Sequence, residues 1–202
     1  MALKDHSLDN KIIEAAKYEF LENGYSKTSL HKITERAGIT TGALYTRYKN
    51  KDALFTSLLE SVFSSMSEHA KPIEELYMKA LKTKNAEDFL LALRTEEEVY
   101  LDLMFQHYDE CVLFFCKSAG SSIEKYLSSM MEQKAAQTVA FLKQLSSKDT
   151  DLDGIELIMA EQFHIYRMIL ENKYTKEEAT SRMKTVENFL EAGWKDLFQR
   201  IL

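Results

Sequence analysis

The chain has 202 residues, 45% of them apolar and 29% charged, and a net charge of −6. That balance excludes a disordered chain and leaves room for one medium domain, or a small one joined to a larger one. One proline and six glycines are too few turn residues for a β-rich fold, and no apolar run approaches the roughly 18 residues of a membrane span.

Met1–Asn10 lacks the apolar stretch of a signal peptide, and two cysteines (Cys111, Cys116) suit a reducing compartment, so a cytoplasmic protein without membrane contact is expected. The charge is unevenly spread. From Tyr25 to Lys51 there are six cations (Lys27, Lys32, Arg36, Arg47, Lys49, Lys51) against one acid, Glu35, which puts +5 on that stretch and −11 on the rest. A cationic stretch on an acidic body marks a local anion-binding surface.

In chain order, Leu8, Ile12, Ala15, Ala16 and Phe20 recur at helical spacing behind Ser7, and Gly24 supplies a stop. Thr28 starts a second helix with Leu30, Ile33 and Ala37 on one face, closed by Gly38. Thr40 caps a third, shorter helix with Leu44 and Tyr48 inward, and Asn50 caps a fourth whose apolar face runs from Leu54 to Met66. Lys71 and Pro72 are expected to end that fourth helix, because the residue before proline resists the α conformation. Beyond it, capping boxes at Thr95/Glu98, Ser121/Glu124, Asp153/Glu156 and Thr175/Glu178 punctuate longer helical runs. The expected fold is all-α.

The second and third helices, expected at about nine and eight residues and joined by Ala37-Gly38-Ile39-Thr40, have the dimensions of a helix-turn-helix. Glycine allows the chain to reverse through a left-handed conformation, Ile39 fills the space between the helices, and Thr40 satisfies the free amides of the third. Gly42, costly in a helix, lets the backbone approach a duplex closely. Thr41, Tyr45 and Thr46 are left outward, where hydroxyls can bond phosphates and a threonine methyl can touch a thymine methyl. Arg47, Lys49 and Lys51 flank this tip, Lys51 at a helix start that can bind a phosphate.

The run from Thr28-Ser29-Leu30 through Ala37-Gly38-Ile39-Thr40-Thr41-Gly42-Ala43-Leu44-Tyr45 to Tyr48-Lys49-Asn50-Lys51-Asp52-Ala53-Leu54-Phe55, preceded by Phe20-Leu21-Glu22-Asn23-Gly24-Tyr25, resembles the DNA-binding domain of the TetR family of transcriptional regulators. The resemblance implies a three-helix DNA-binding domain at 1–52 and a helical effector-binding and dimerisation domain at 53–202. It further implies a non-enzymatic homodimeric repressor on a palindromic double-stranded operator, released by a small, largely hydrophobic effector, with no cofactor. Carried over by position, Thr28 and Ser29 would bind phosphate, Thr40, Thr41, Gly42, Tyr45, Thr46 and Arg47 would meet the groove, and Tyr45 and Lys51 would anchor the backbone. Thr41 and the Thr46-Arg47 pair depart from the residues common there, which bears on the operator sequence rather than on DNA binding.

In the body, the run Tyr100, Met104, Phe105, His107, Tyr108, Cys111, Phe114 and Phe115, with Tyr126, Met130, Phe141, Phe163, His164 and Tyr166 on later helices, is the candidate effector pocket. Glu96, Glu97, Glu98 and Asp102 could favour a cationic ligand, but a charge run at a helix start is usually solvated and favoured by the helix dipole. Phe189, Trp194 and Phe198 widen the apolar arc of the last helix, so Ile165, Ile169, Val186, Phe189, Leu190, Gly193, Trp194 and Leu197 are the expected dimer face. Asp149, Asp151, Asp153 and Gly154 mimic the opening of a calcium loop, but its twelfth position is Ala160, and His107 with Cys111 lacks further zinc ligands; no metal site is expected. Two other readings stay open on the sequence, a helical small-molecule-binding or enzymatic protein with a vestigial helix-turn-helix, and a DNA-binding regulator without any ligand.

Overall fold

The computed structural model describes residues 6–146, 152 and 154–201. Among them the chain forms ten helices and no strand: α1 (His6–Lys27), α2 (Leu30–Ala37), α3 (Thr41–Tyr45), α4 (Lys51–Ser57), α5 (Glu60–Thr83), α6 (Ala86–Gln106), α7 (Tyr108–Cys116), α8 (Ser122–Leu145), α9 (Ile155–Glu171) and α10 (Lys176–Ile201). The fold is all-α, as composition and periodicity predict. No helix among the described residues is long and apolar enough to cross a membrane.

The helices fall into two compact units that do not follow a single cut in the sequence. One holds the described residues through Phe63 together with Asp109–Leu127, and the other holds Ser64–Tyr108 with the described residues from Ser128 onward. The first unit therefore runs past the boundary expected at Asp52 and recruits most of α7 and the first turns of α8.

In the first unit, Ile12, Ala16 and Phe20 of α1 are buried with Ile33 of α2, Leu44 of α3, and Leu54 and Phe55 of α4. Phe20 meets Phe55 edge-on at 4.9 Å, and Tyr25 meets Phe55 at 5.2 Å. Gly24, at φ 72°, breaks α1 where a stop is expected. The fourth helix is shorter than its apolar pattern suggests. Leu58 and Leu59 donate to the carbonyls three residues back, Phe55 and Thr56, a tightened turn that ends α4 and lets α5 begin at Glu60.

Pro72 does not end a helix; it lies inside α5. It is exposed, so the hydrogen bond its nitrogen cannot donate is lost on the solvent side, while Ile73, Tyr77 and Ala80 continue an unbroken stripe against the core. Thr95 likewise starts nothing. It sits within α6 and its hydroxyl bonds back to the Leu91 carbonyl at 2.8 Å. Thr175 and Glu178 do form the reciprocal capping box, with bonds of 3.0 and 3.2 Å. Ser121 caps α8, but Glu124 reaches the Gly120 amide instead of that of Ser121. Asp149, Asp151 and Asp153 lie outside the described residues, so the box expected at Asp153/Glu156 and the calcium-like run do too; α9 follows a left-handed Gly154.

The core of the second unit is aromatic. Phe89 lies within 6 Å of the Tyr77, Phe141, Trp194 and Phe198 rings, the nearest two at 5.0 Å. Phe89→Ala should lower the unfolding free energy by about 3–5 kcal/mol, because a cavity at the meeting point of four rings cannot collapse. Urea titration followed by Trp194 fluorescence measures it, and a loss below about 1 kcal/mol would contradict this account of the core.

Candidate functional site

The helix-turn-helix is built from local hydrogen bonds. Ser29, rather than Thr28, caps α2 by accepting from the Lys32 amide. Gly38 closes that helix at φ 67°, a left-handed position that a side chain would strain. Thr40 Oγ1 then accepts from the Ala43 amide at 3.2 Å and starts α3. This helix has five residues instead of the expected eight, because the Thr46 hydroxyl and the Arg47 and Tyr48 amides all bond carbonyls within its own last turn. Leu44 is fully buried and holds it down. Thr41, Gly42, Tyr45 and Thr46 are exposed, Tyr45 at 53%.

The six cations divide into two sets. Arg36 pairs with Glu19 at 2.7 Å and stacks 3.6 Å from the Tyr18 ring centroid. Arg47 pairs with Asp9, tying α3 to α1. Lys51 Nζ donates to the Tyr25 and Thr28 carbonyls at 2.8 and 3.0 Å, above the Tyr25 ring, and burial pushes its pKa down. These three hold the unit together, Arg47 and Lys51 each bonded to partners within it. Lys27, Lys32 and Lys49 are exposed and have no ion pair among the described residues. Thr28, expected to meet phosphate, is 3% exposed, and its hydroxyl is shared between the Glu19 and Gly24 carbonyls.

A second set of bonds in the same unit fastens α8. The Asp52 carboxylate accepts from the Ser122 amide at 2.8 Å and the Ser122 hydroxyl at 2.6 Å. Burial works to raise the Asp52 pKa, but the Ser122 bonds and the Tyr25 hydroxyl outweigh it and hold it below the usual value. The Tyr25 amide donates to the Lys117 carbonyl at 2.8 Å, and Ser26 Oγ to that of Ala119. At Gly120 (φ 87°) an added Cβ would sit 2.6 Å from Ser26 Oγ, so only glycine fits this corner.

The second unit contains a cavity of about 430 Å³ walled by α5, α6 and α8, among whose lining residues are Tyr77, Phe89, Glu96, Tyr100, Lys134 and Phe141. Glu96 and Glu97 are not a solvated run. They lie in the middle of α6 at 8% and 9% exposure. Glu96 accepts from the Tyr77 hydroxyl and, through both oxygens, from Lys134 Nζ at 2.6 and 2.7 Å. Glu97 has no cation among the described residues and accepts from Gln162 Nε2 at 3.1 Å. Burial, then the charges of Glu187 and Glu96, raise its pKa to about 7 against the smaller opposing effect of Gln162. Burial also pushes Tyr100 to about 12, helped by Glu96, and drives Tyr166 well above its ordinary value, helped by Glu97. On α9 and α10, Leu157, Ile158, Met168 and Phe189 are exposed, Phe189 at 79%.

The profile of the bacterial regulatory proteins of the tetR family matches residues 12–58, the stretch that holds the helix-turn-helix. That stretch, 47 of the 202 residues, is similar to the tetR family. The chain is similar to the HTH-type transcriptional regulator TtgR of Pseudomonas putida, 39% identical over 64 residues, covering 32% of this chain and 30% of that protein. It is similar also to the probable acrEF/envCD operon repressor of Escherichia coli, 40% identical over 48 residues, covering 24% of this chain and 22% of that one. The chain thus spans less than a third of these curated relatives. The crystal structure of a TetR-like transcriptional regulator from Rhodococcus sp. RHA1 matches with a TM-score of 0.53 at 18% identity, over 98% of this chain and 97% of that one. This likeness is one of fold alone.

Beyond the family domain the expected residues scatter. Of the candidate pocket set only Tyr100 and Phe141 line the cavity. Met104, Cys111 and Phe114 are buried core, and burial, then Glu110 and Cys116, push the Cys111 thiol to about 12, a protonated group rather than a thiolate ligand. Tyr126 is exposed and lies against Phe63, and His107 bonds the Ser65 hydroxyl. Phe105 and Tyr108 pack on each other, while Phe115, Met130, Phe163 and Tyr166 are half-buried away from the lining and His164 is exposed. Of the dimer set, Ile169, Trp194 and Leu197 are core; Phe189 and Gly193 are exposed, and Ile165, Val186 and Leu190 half-buried. Tyr77 and Lys134, absent from the expected set, supply the cavity's polar wall. Lys134 carries a readable signal, a cation on an otherwise apolar helix stripe beside Ala135, Thr138 and Phe141.

Glu97 gives a pH prediction. Its pKa is raised on folding, so the stability gained by keeping it neutral is fully present below its unfolded value of 4.5 and is lost as pH rises through about 7. Glu96 acts on it from α6, Gln162 and Tyr166 from α9 and Glu187 from α10. Glu97→Gln should therefore gain on the parent in thermal melts as pH rises from about 5 to about 8. A difference between the two that stays flat over that range would rule out a buried, protonated Glu97.

Proposed function

We propose that the chain is a homodimeric repressor that grips a palindromic operator through α3 and is released by a small, largely apolar effector in the α5–α6–α8 cavity. The observation that carries the DNA-binding part is the exposed side of α3. Thr41, Gly42, Tyr45 and Thr46 face outward on a helix anchored by Leu44, in a unit where Lys27, Lys32 and Lys49 are exposed and lack an ion pair among the described residues. Hydroxyls and a backbone without a Cβ suit groove contact, and Lys27, Lys32, Lys49 and Ser29 suit phosphates. Two copies are needed because one five-residue helix reads too little sequence, and a twofold pair reads half-sites one helical turn apart. Leu157, Ile158, Met168 and Phe189 offer the apolar face for that pairing. One relative is itself a probable operon repressor.

For release, α8 supplies the connection. Its first turn is held by Asp52, and about three turns further along the same helix Lys134, Thr138 and Phe141 line the cavity. An effector that shifts α8 acts on α4 through that cap.

Genomic fragments retained by the purified protein at low salt identify the operator, and protein that keeps its fold yet retains none would defeat the reading. With about three phosphate contacts per protomer, log affinity should fall against log salt with a slope of about −5, and Lys49→Ala should reduce that slope by about 2 per dimer on every sequence tested. Asp52→Ala should leave operator affinity within about threefold of the parent while weakening release by effector, at a cost of about 1 kcal/mol for the lost cap. Anisotropy titrations with and without effector read both, and unimpaired release would remove Asp52 from the route.

A further inference from the structure

The cavity holds an ion pair whose two members are unequal. Glu96 is buried on α6 and tethered by the Tyr77 hydroxyl. Lys134 reaches it from α8 on a long side chain that is still a quarter exposed, and its ammonium lies 5.0 Å from the Tyr77 ring centroid. The lysine can swing to solvent, whereas the carboxylate cannot leave without exposing the core. The surroundings are acidic as well, with Glu74 on the lining and Glu97 and Glu187 close behind. The walls, Tyr77, Phe89, Tyr100 and Phe141, are aromatic.

We propose that this cavity binds an organic cation, an ammonium group seated on Glu96 where the Lys134 ammonium now sits, with an aromatic or aliphatic body between the rings. Lys134 acts as the resident occupant that the ligand displaces. The exchange keeps Glu96 paired: one cation replaces another, bonded to both carboxylate oxygens and lying against a tyrosine face. An anionic ligand would need Lys134 but would leave Glu96 buried and unpaired beside Glu97, which is strongly unfavourable. A cavity of about 430 Å³ lies at the small end of ligand sites and suits a one- or two-ring body. The inference rests on reading this cavity as the effector site and adds the charge of the ligand.

Three probes of matched shape test it, 4-phenylbutylammonium, 4-phenylbutanol and 4-phenylbutanoate, titrated into the full chain by calorimetry. The ammonium should bind about tenfold tighter than the alcohol, and the carboxylate weakest. Glu96→Gln should erase the preference for the ammonium while keeping alcohol binding. Lys134→Met, which removes the resident competitor, should bind the ammonium more tightly than the parent and melt higher in its presence, and it keeps the test decisive where E96Q does not fold. Equal binding of the three probes, tightest binding of the carboxylate, no binding at all, or a weaker ammonium affinity in K134M each overturns the proposal. Release of operator DNA is read separately. Glu96-dependent ammonium binding with no effect on DNA upholds the cation site and defeats the effector reading, whereas release by the alcohol or carboxylate alone does the reverse.

Discussion

A helix that starts with its amides unsatisfied has to find an acceptor, and for α8 that acceptor is Asp52, seventy residues away in the chain. The carboxylate takes both the amide and the hydroxyl of Ser122, and its low pKa keeps it ionised and bonded at neutral pH. The Asp52 cap, with the Tyr25–Lys117 bond and the tight corner at Gly120, explains why the first unit includes residues far beyond the helix-turn-helix. It also gives α8 a fixed end.

The cationic stretch shows how charge and function separate. Six basic residues on a short segment read as one surface, but half of them are structural. Arg36 and Arg47 find carboxylates on α1, and Lys51 finds carbonyls, because a short helical unit with few apolar residues needs polar ties to fix its helices. The three exposed lysines carry what remains of the anion-binding surface. Such a surface on an acidic chain favours a polyanion locally while the rest of the molecule repels it, which orients the approach.

The helix-turn-helix is legible in the sequence because its determinants are local. Caps at Thr40 and Asn50, the left-handed Gly38 and the inward Leu44 are decided within four residues of themselves. Thr28, Pro72 and Thr95 mislead for the opposite reason. Each carries a local signal for a helix end, and tertiary partners overrule it: Glu19 for Thr28, the Ile73–Tyr77–Ala80 stripe for Pro72, the buried face of α6 for Thr95. The pocket is least legible. Aromatic residues at helical spacing fill cores and line cavities alike, so Met104 and Phe114 cannot be told from Tyr100 and Phe141 without coordinates. The last helix shows the same limit, since Trp194 and Phe198 turn inward and Phe189 alone of the three faces out.

Buried polar groups are the strongest clue to what the body evolved to do. A core built for stability alone would replace Glu96, Lys134 and Tyr77 with apolar side chains, since a buried ion pair seldom recovers the cost of its desolvation. Glu97 makes the argument sharper, because it is buried with an amide rather than a cation beside it, and burial, then the charges of Glu187 and Glu96, raise its pKa to about 7. Two such residues in succession on α6, the first of them lining the cavity beside Tyr77 and Tyr100, are a local sacrifice of stability. Selection for packing alone removes arrangements of that kind, and their presence at one cavity is the observation on which the proposed effector site rests.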